Sequence, residues 1–323
     1  MSDNHSIYNR EGLLKAILAT LAYFDVFSHP LTFEEILEFN RIPGCTREAV
    51  ESALVDLMAY GLVRKNKSFF FLGLDETVVE QRIIANKLAQ KRMHAAWFYS
   101  SLIARFPFIR AVMISGSLSK GVMEAEDDID FFIIAAPGRL WIARVLLTFF
   151  KRVFLLNSHR NFCLNYFIDT DNLAISDHNI FTATEIGLIL PMYNKELYLK
   201  FLAENVWFRA HYPNLPDITS VKDIPARYAG RLVERLLPQS LWDIIDDFCL
   251  RLTRRFLGRK YKYMDSERFY RDLKTSKSVS RHHPESQQYV VLKSFQKKVE
   301  LLESKLNYAV SVNDLQKKYG ETA

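Results

Sequence analysis

Ser115-Gly116-Ser117-Leu118-Ser119-Lys120-Gly121, followed by Asp128-Ile129-Asp130-Phe131-Phe132-Ile133-Ile134-Ala135, is the stretch that decides how this chain is read. An apolar run from Ile109 to Ile114 precedes it, as in a strand buried on both faces. Gly116 permits a sharp turn and close backbone approach to a ligand. Residues 117–123 are expected to open a short helix, whose free N–H groups and dipole suit a phosphate. Ser117 and Ser119 add hydroxyls there, and Lys120 adds a positive charge.

A second strand is expected from Asp128 to Ala135. Alternation puts Asp128 and Asp130 on one face and Ile129 on the other. Two adjacent carboxylates repel, and keeping both ionised calls for a cation. Mg²⁺ suits them, because it prefers oxygen and shares its shell with phosphates. The plainer reading is a tight turn followed by a solvated acidic loop, with Glu124, Glu126 and Asp127 contributing. Asp130 weighs against it: it lies between Ile129 and Phe131, where an unpaired carboxylate is costly to bury.

The order Gly116-Ser117-x-x-x-Gly121, ten residues from Leu118 to Asp127, then Asp128-x-Asp130 resembles the signature of the DNA polymerase beta-type nucleotidyltransferase superfamily. The resemblance spans roughly residues 80–170. It implies that Gly116 and Ser117 hold the triphosphate of an NTP; Lys120, by its charge beside the same turn, is a further candidate. The resemblance also implies that Asp128 and Asp130 ligate catalytic Mg²⁺ or Mn²⁺. Catalysing members carry a third carboxylate on a later strand. The matching strand here, Phe162 to Ile168, has Asn165 at its centre, an amide that ligates metal weakly and cannot act as a base. Asp169 lies four residues further on and shares the face of Asn165 if the strand stays regular. The competing reading of Asp169-Thr170-Asp171-Asn172 is a turn, which Asp and Asn favour.

With 323 residues the chain can build two or three cored domains. Apolar residues make up 49% and charged residues 25%, ordinary for a soluble protein. The net charge of +6 is compatible with a polyanionic partner. Cys45, Cys163 and Cys249 show no metal-ligand spacing and fit a reducing cytoplasm. The polar N-terminus shows no signal peptide. Leu140 to Leu156 is apolar, but Arg144, Lys151 and Arg152 interrupt it. It reads as a core-packed helix over 139–156 rather than a membrane span, with peripheral membrane contact as the lesser alternative.

Upstream, helices are expected over 11–27, from Thr32 to about Phe39, and from Thr46 to Gly61. Thr32 and Glu35 form a capping box, and Thr46 caps the third helix. A hairpin follows over 62–72, turning at Asn66-Lys67. This succession resembles a winged helix. Such modules bind DNA through the third helix, but Arg47 there is accompanied by Glu48, Glu51 and Asp56, so packing or protein contact is the favoured use. A long helix over 76–105 bridges to the sheet. After residue 180 the pattern reads as helical to the end, with Thr182 or Thr184 capping a helix near Glu185. Tyr193, Asn194 and Lys195 are candidates to line the cleft. The basic run Arg251–Lys262 reads as the solvated face of an amphipathic helix, with a nucleic-acid groove as the alternative. His282-His283 has no metal partner, and residues 288–308 read as a surface helix.

The expected fold class is therefore α+β. A small mixed β-sheet nucleotidyltransferase core (76–180) follows a winged-helix-like domain (1–75) and precedes a helical C-terminal region (181–323). The expected function is Mg²⁺-dependent transfer of a nucleoside monophosphate from an NTP to an acceptor that is a small molecule, protein or RNA. The alternative is a degenerate nucleotide-sensing or DNA-binding regulator, for which Asn165 argues.

Overall fold

The computed structural model describes residues 9–157, 160–217, 223–225, 229–265, 269, 273–281 and 287–320. The chain folds as a mixed α+β protein. The capping signals read at Thr32, Glu35 and Thr46 act there. Helix α1 (Arg10–Asp25) is followed by strand β1 (Leu31–Thr32) and helix α2 (Phe33–Phe39), whose capping box joins Thr32 and Glu35. Helix α3 (Arg47–Ala59) is capped by Thr46, whose hydroxyl accepts from Ala49 N–H. Strands β2 (Arg64–Asn66) and β3 (Phe69–Phe71) then form a hairpin, which β1 extends to a three-stranded antiparallel sheet.

Helix α4 (Thr77–Ile103) leads to the central sheet. Its inner strands are β4 (Ile109–Ser115), β5 (Asp130–Ala135) and β6 (Cys163–Asp169). Between them lie α5 (Gly116–Ser119) and α6 (Leu140–Phe154). Strand β5 runs antiparallel to β4 and parallel to β6. Beyond β6 come α7 (Ile180–Gly187), β7 (Leu190–Tyr193), α8 (Lys195–Glu204) and a 3-10 turn (Val206–Ala210). Helices α9 (Ala229–Glu234) and α10 (Gln239–Lys260), strand β8 (Val279–Arg281) and helix α11 (Gln287–Gly320) complete the described chain. Strands β7 and β8 form the two edges, giving the order β7-β4-β5-β6-β8. The expectation of helix alone after residue 180 is corrected by these edges. Both are very short, and Pro191 in β7 is tolerated only at an edge.

Each sheet face has its own core. Val112, Ile114, Phe131, Ile133 and Phe167 pack with residues of α4, α6 and α10. Arg144 and Lys151 of α6 are turned into this side, with Arg144 over the Phe167 ring. On the other face, Ala111, Met113, Phe132, Ile134 and Ile168 share one core with α7, α8, α11 and the N-terminal helices. Tyr23 of α1 meets Phe295 of α11 edge-on, and Asp25 pairs with Lys298. Asn214 donates to the carbonyls of Asn40 and Ile42 and accepts from Gly44 N–H. The N-terminal unit is thus packed onto the sheet's second face through the C-terminal segments. No helix among the described residues is long and apolar enough to cross a membrane. His282 and His283 lie outside the described residues.

Candidate active site

Strand β4 ends at Ser115, and Gly116 turns the chain with φ +69°. That conformation is open to glycine and strained for other residues. Space makes the same demand: a Cβ on Gly116 would lie 2.3 Å from Asp130 Oδ2. The turn and the aspartate are therefore fitted to each other across the β4–β5 pair, where Ser115 stands opposite Asp130. Helix α5 is shorter than the 117–123 expected, because the chain leaves it at Lys120 to turn again at Gly121, φ +69°.

Strand β5 begins at Asp130 rather than Asp128. Asp128 lies two residues before it, outside the strand, and Ile129 between the two aspartates is fully buried in the core on the α4–α6 side. Asp130 opens into a cavity of about 330 Å³ between the sheet, α7 and the start of α11. Ser115, Gly116, Asn165 and Glu185 share that end of it. Asp128, Ser117 and Lys120 are not in its lining. Arg92 and Lys151 are near enough to feel the charge of Asp128.

Asn165 reaches the cavity through an irregularity. Phe131 pairs with Leu164 but Phe132 pairs with Tyr166, so Asn165 is an extra residue in β6. Bulges of this kind re-aim side chains and recur beside active sites. Tyr166 stacks on Phe132 at 4.9 Å, and both rings form the cavity wall. The same bulge reverses the alternation downstream. Asp169 stands opposite Ala135, six residues along β6 from the partner of Asp130 and so at the far end of β5 from it. Its carboxylate accepts from Asp171 N–H and Asn172 Nδ2, which makes it the turn residue and separates it from Asp130.

The carboxylate that does stand near Asp130 is Glu185 on α7. It accepts from Gly116 N–H at 3.3 Å and from Lys120 Nζ at 2.6 Å. Asn179, not Thr182 or Thr184, caps α7; Thr184 instead bonds Ile180 O and the Tyr212 hydroxyl. The signal in the sequence was faint: Glu185 is the only Asp, Glu, Lys or Arg between Asp177 and Lys195. Burial pushes the Asp130 carboxyl up to about 6, with the charges of Glu185 and Asp128 adding to it. A hydrogen bond with Cys163 and the charge of Lys120 oppose that rise. The Ser115 hydroxyl is buried at the same end, with no hydrogen-bond partner among the described residues.

At the other end of the cavity Asp177 is held by Lys274 at 2.6 Å and Arg281 at 3.0 Å. These residues were not singled out in the sequence, because β8 and the loop before it carry no motif. Tyr193 is an edge-strand residue, and Asn194 caps α8 while donating to Arg110 O. Neither they nor Lys195 line the cavity. In the N-terminal unit Arg47 is engaged by Glu34, and Lys67 by Glu80. Arg64 and Lys65 remain exposed.

Comparison of the chain with protein-family models, with curated proteins and with solved structures finds no match.

Proposed function

We propose that the protein is a metal-dependent nucleotidyltransferase that moves a nucleoside monophosphate from an NTP to an acceptor hydroxyl or phosphate. The observation that carries the reading is the mutual fit of Gly116 and Asp130 in the lining of a cavity. A glycine turn stripped of its Cβ beside a carboxylate brings backbone N–H and metal ligand to one point, as phosphoryl transfer requires.

The donors fit a hard cation. Asp130 and Asp128 would hold Mg²⁺ or Mn²⁺, with the Asn165 amide oxygen as a weak further donor. Asp130, raised to about 6 by burial and like charge, is the kind of group a cation relieves. Among the described residues no group of three or more His, Cys, Asp or Glu is placed to hold a metal alone. Mg²⁺ commonly relies on one or two carboxylates and completes its shell with substrate phosphates and water. When bound, such an ion neutralises charge on the phosphates and helps set the attack in line.

Gly116 N–H and Lys120 are the phosphate donors in this reading, and Glu185 holds both in the free protein. A triphosphate therefore binds in exchange for that carboxylate. Glu185→Gln removes one negative charge and is expected to tighten NTP binding by about tenfold, read by calorimetry. Unchanged or weaker binding would contradict the exchange.

The deciding experiment incubates the protein with each labelled NTP, Mg²⁺ or Mn²⁺ and cell extract, and identifies the labelled product. Asp128→Asn and Asp130→Asn should each abolish pyrophosphate release while the fold survives. Full activity in either variant would sink the proposal. A second reading, a nucleotide sensor without turnover, is favoured by Asn165 standing where a carboxylate is expected. It predicts saturable NTP binding with no labelled product from any extract.

A further inference from the structure

Helix α10 buries one face and leaves a second apolar face uncovered. Trp242, Asp246, Cys249, Leu250 and Leu257 point into the core. Ile244, Phe248, Leu252 and Phe256, four residues apart, form a stripe beside them, each at least half exposed. At this spacing successive side chains drift by only a small angle, so the four make one continuous ridge. Helix α6 lies alongside, with the Arg152 guanidinium 5.9 Å from the centre of the Phe256 ring. Phe149, Val153 and Phe154 at its end are also exposed. A continuous uncovered apolar ridge of this kind marks an interaction site.

Charge says what kind. From Arg251 to Lys262 there are six cations and no Asp or Glu. Arg251 and Arg255 border the ridge on its outer side and Arg259 continues it. Two acidic residues, Asp243 and Asp247, stand in the same row two turns and one turn before Arg251, where Arg139 and Lys277 neutralise them. A second copy of the chain would set these arginines against their own images, which disfavours self-association. Nucleic acid would satisfy the cations but leave Ile244 and Leu252 against phosphate. An apolar ridge bordered by arginine is the form of a helix that lies in the surface of an anionic bilayer.

We infer that the α10 ridge docks the protein on anionic lipid membranes as a peripheral protein. The ridge sits on the sheet side opposite the cavity, so docking leaves the Asp130 end unobstructed. This inference does not depend on the nucleotidyltransferase reading.

The test is co-sedimentation of the full chain with phosphatidylcholine vesicles, with and without phosphatidylserine, at low and high salt. Binding is expected only with phosphatidylserine, and it should weaken as salt rises. Arg255→Glu with Arg259→Glu should weaken it by about tenfold or more. Phe248→Asp should weaken it as much at low salt, with thermal unfolding confirming that both variants fold. Absence of phosphatidylserine-dependent binding would overturn the inference, as would variants that bind like the parent. A solution dimer split by Phe248→Asp, or nucleic-acid binding that Phe248→Asp leaves intact and vesicles do not displace, would also overturn it.

Discussion

Gly116 and Asp130 show how little room the site leaves. Gly116→Ala adds a Cβ that overlaps the Asp130 carboxylate and sits at φ +69°. The backbone strain alone costs about 1–3 kcal/mol. Loss of NTP binding together with a lowered denaturation midpoint is expected; a variant with parental affinity would refute the fit. Asp130 carries a second prediction. Its folded value, about 6, exceeds the ordinary 3.8, so the native state binds the proton more tightly than the unfolded chain. That contribution is present at acid pH and is lost as pH rises through about 6, amounting to as much as ~3 kcal/mol. Asp130→Asn should therefore gain stability over the parent above about pH 7 and converge with it in acid. Chemical denaturation at several pH values reads the difference, and a constant offset would speak against it. Both residues were legible in the sequence, since the motif names them. Glu185 was not, because a single glutamate in a helix carries no signature until the fold sets it against Gly116.

At the scale of elements, the bulge at Asn165 decides which face each later residue of β6 presents. A one-residue insertion in a strand leaves composition and hydrophobicity unchanged, so nothing in Phe162–Ile168 announces it. The regular strand assumed from the sequence kept Asp169 in phase with Asn165, and the bulge breaks that phase. The edge strands were hidden for another reason: three or four residues give too short an alternation to stand out from helix. The caps of α2 and α3, by contrast, were written plainly as Thr followed by helix. A different kind of cap holds α6. Asp246 of α10, fully buried, accepts from Trp141 N–H and Ile142 N–H at 2.9 and 3.0 Å. Long-range caps of this sort have no local pattern to read. Asp246→Ala removes both hydrogen bonds and should cost about 2–4 kcal/mol in urea denaturation. A loss below about 1 kcal/mol would mean that water replaces the carboxylate there.

At the scale of the whole molecule, the N-terminal helices and one face of the sheet share a core. The helices and hairpin before residue 75 read as a separate unit, yet their core runs on into the sheet through α7 and α11. Phe39 of α2 packs edge-on against Tyr212, whose hydroxyl bonds Thr184, the neighbour of Glu185. A shared core of this kind predicts one cooperative unfolding transition in calorimetry, with calorimetric and van't Hoff enthalpies equal. Two resolved transitions would show that the N-terminal unit folds on its own. The same packing explains why the terminal helix α11 is more than a surface element: Val291, Leu302 and Leu306 are buried in that core.

The contact between Gly116 and Asp130 also constrains how this sequence can vary. Any side chain at 116 requires the carboxylate at 130 to withdraw, and a shortened residue at 130 lifts only half of the prohibition. The positive φ remains, and it admits asparagine or aspartate far more readily than a β-branched residue. Descendants of this chain that have abandoned Asp130 should thus be the ones in which position 116 drifts first to asparagine. Those that keep Asp130 should keep glycine without exception.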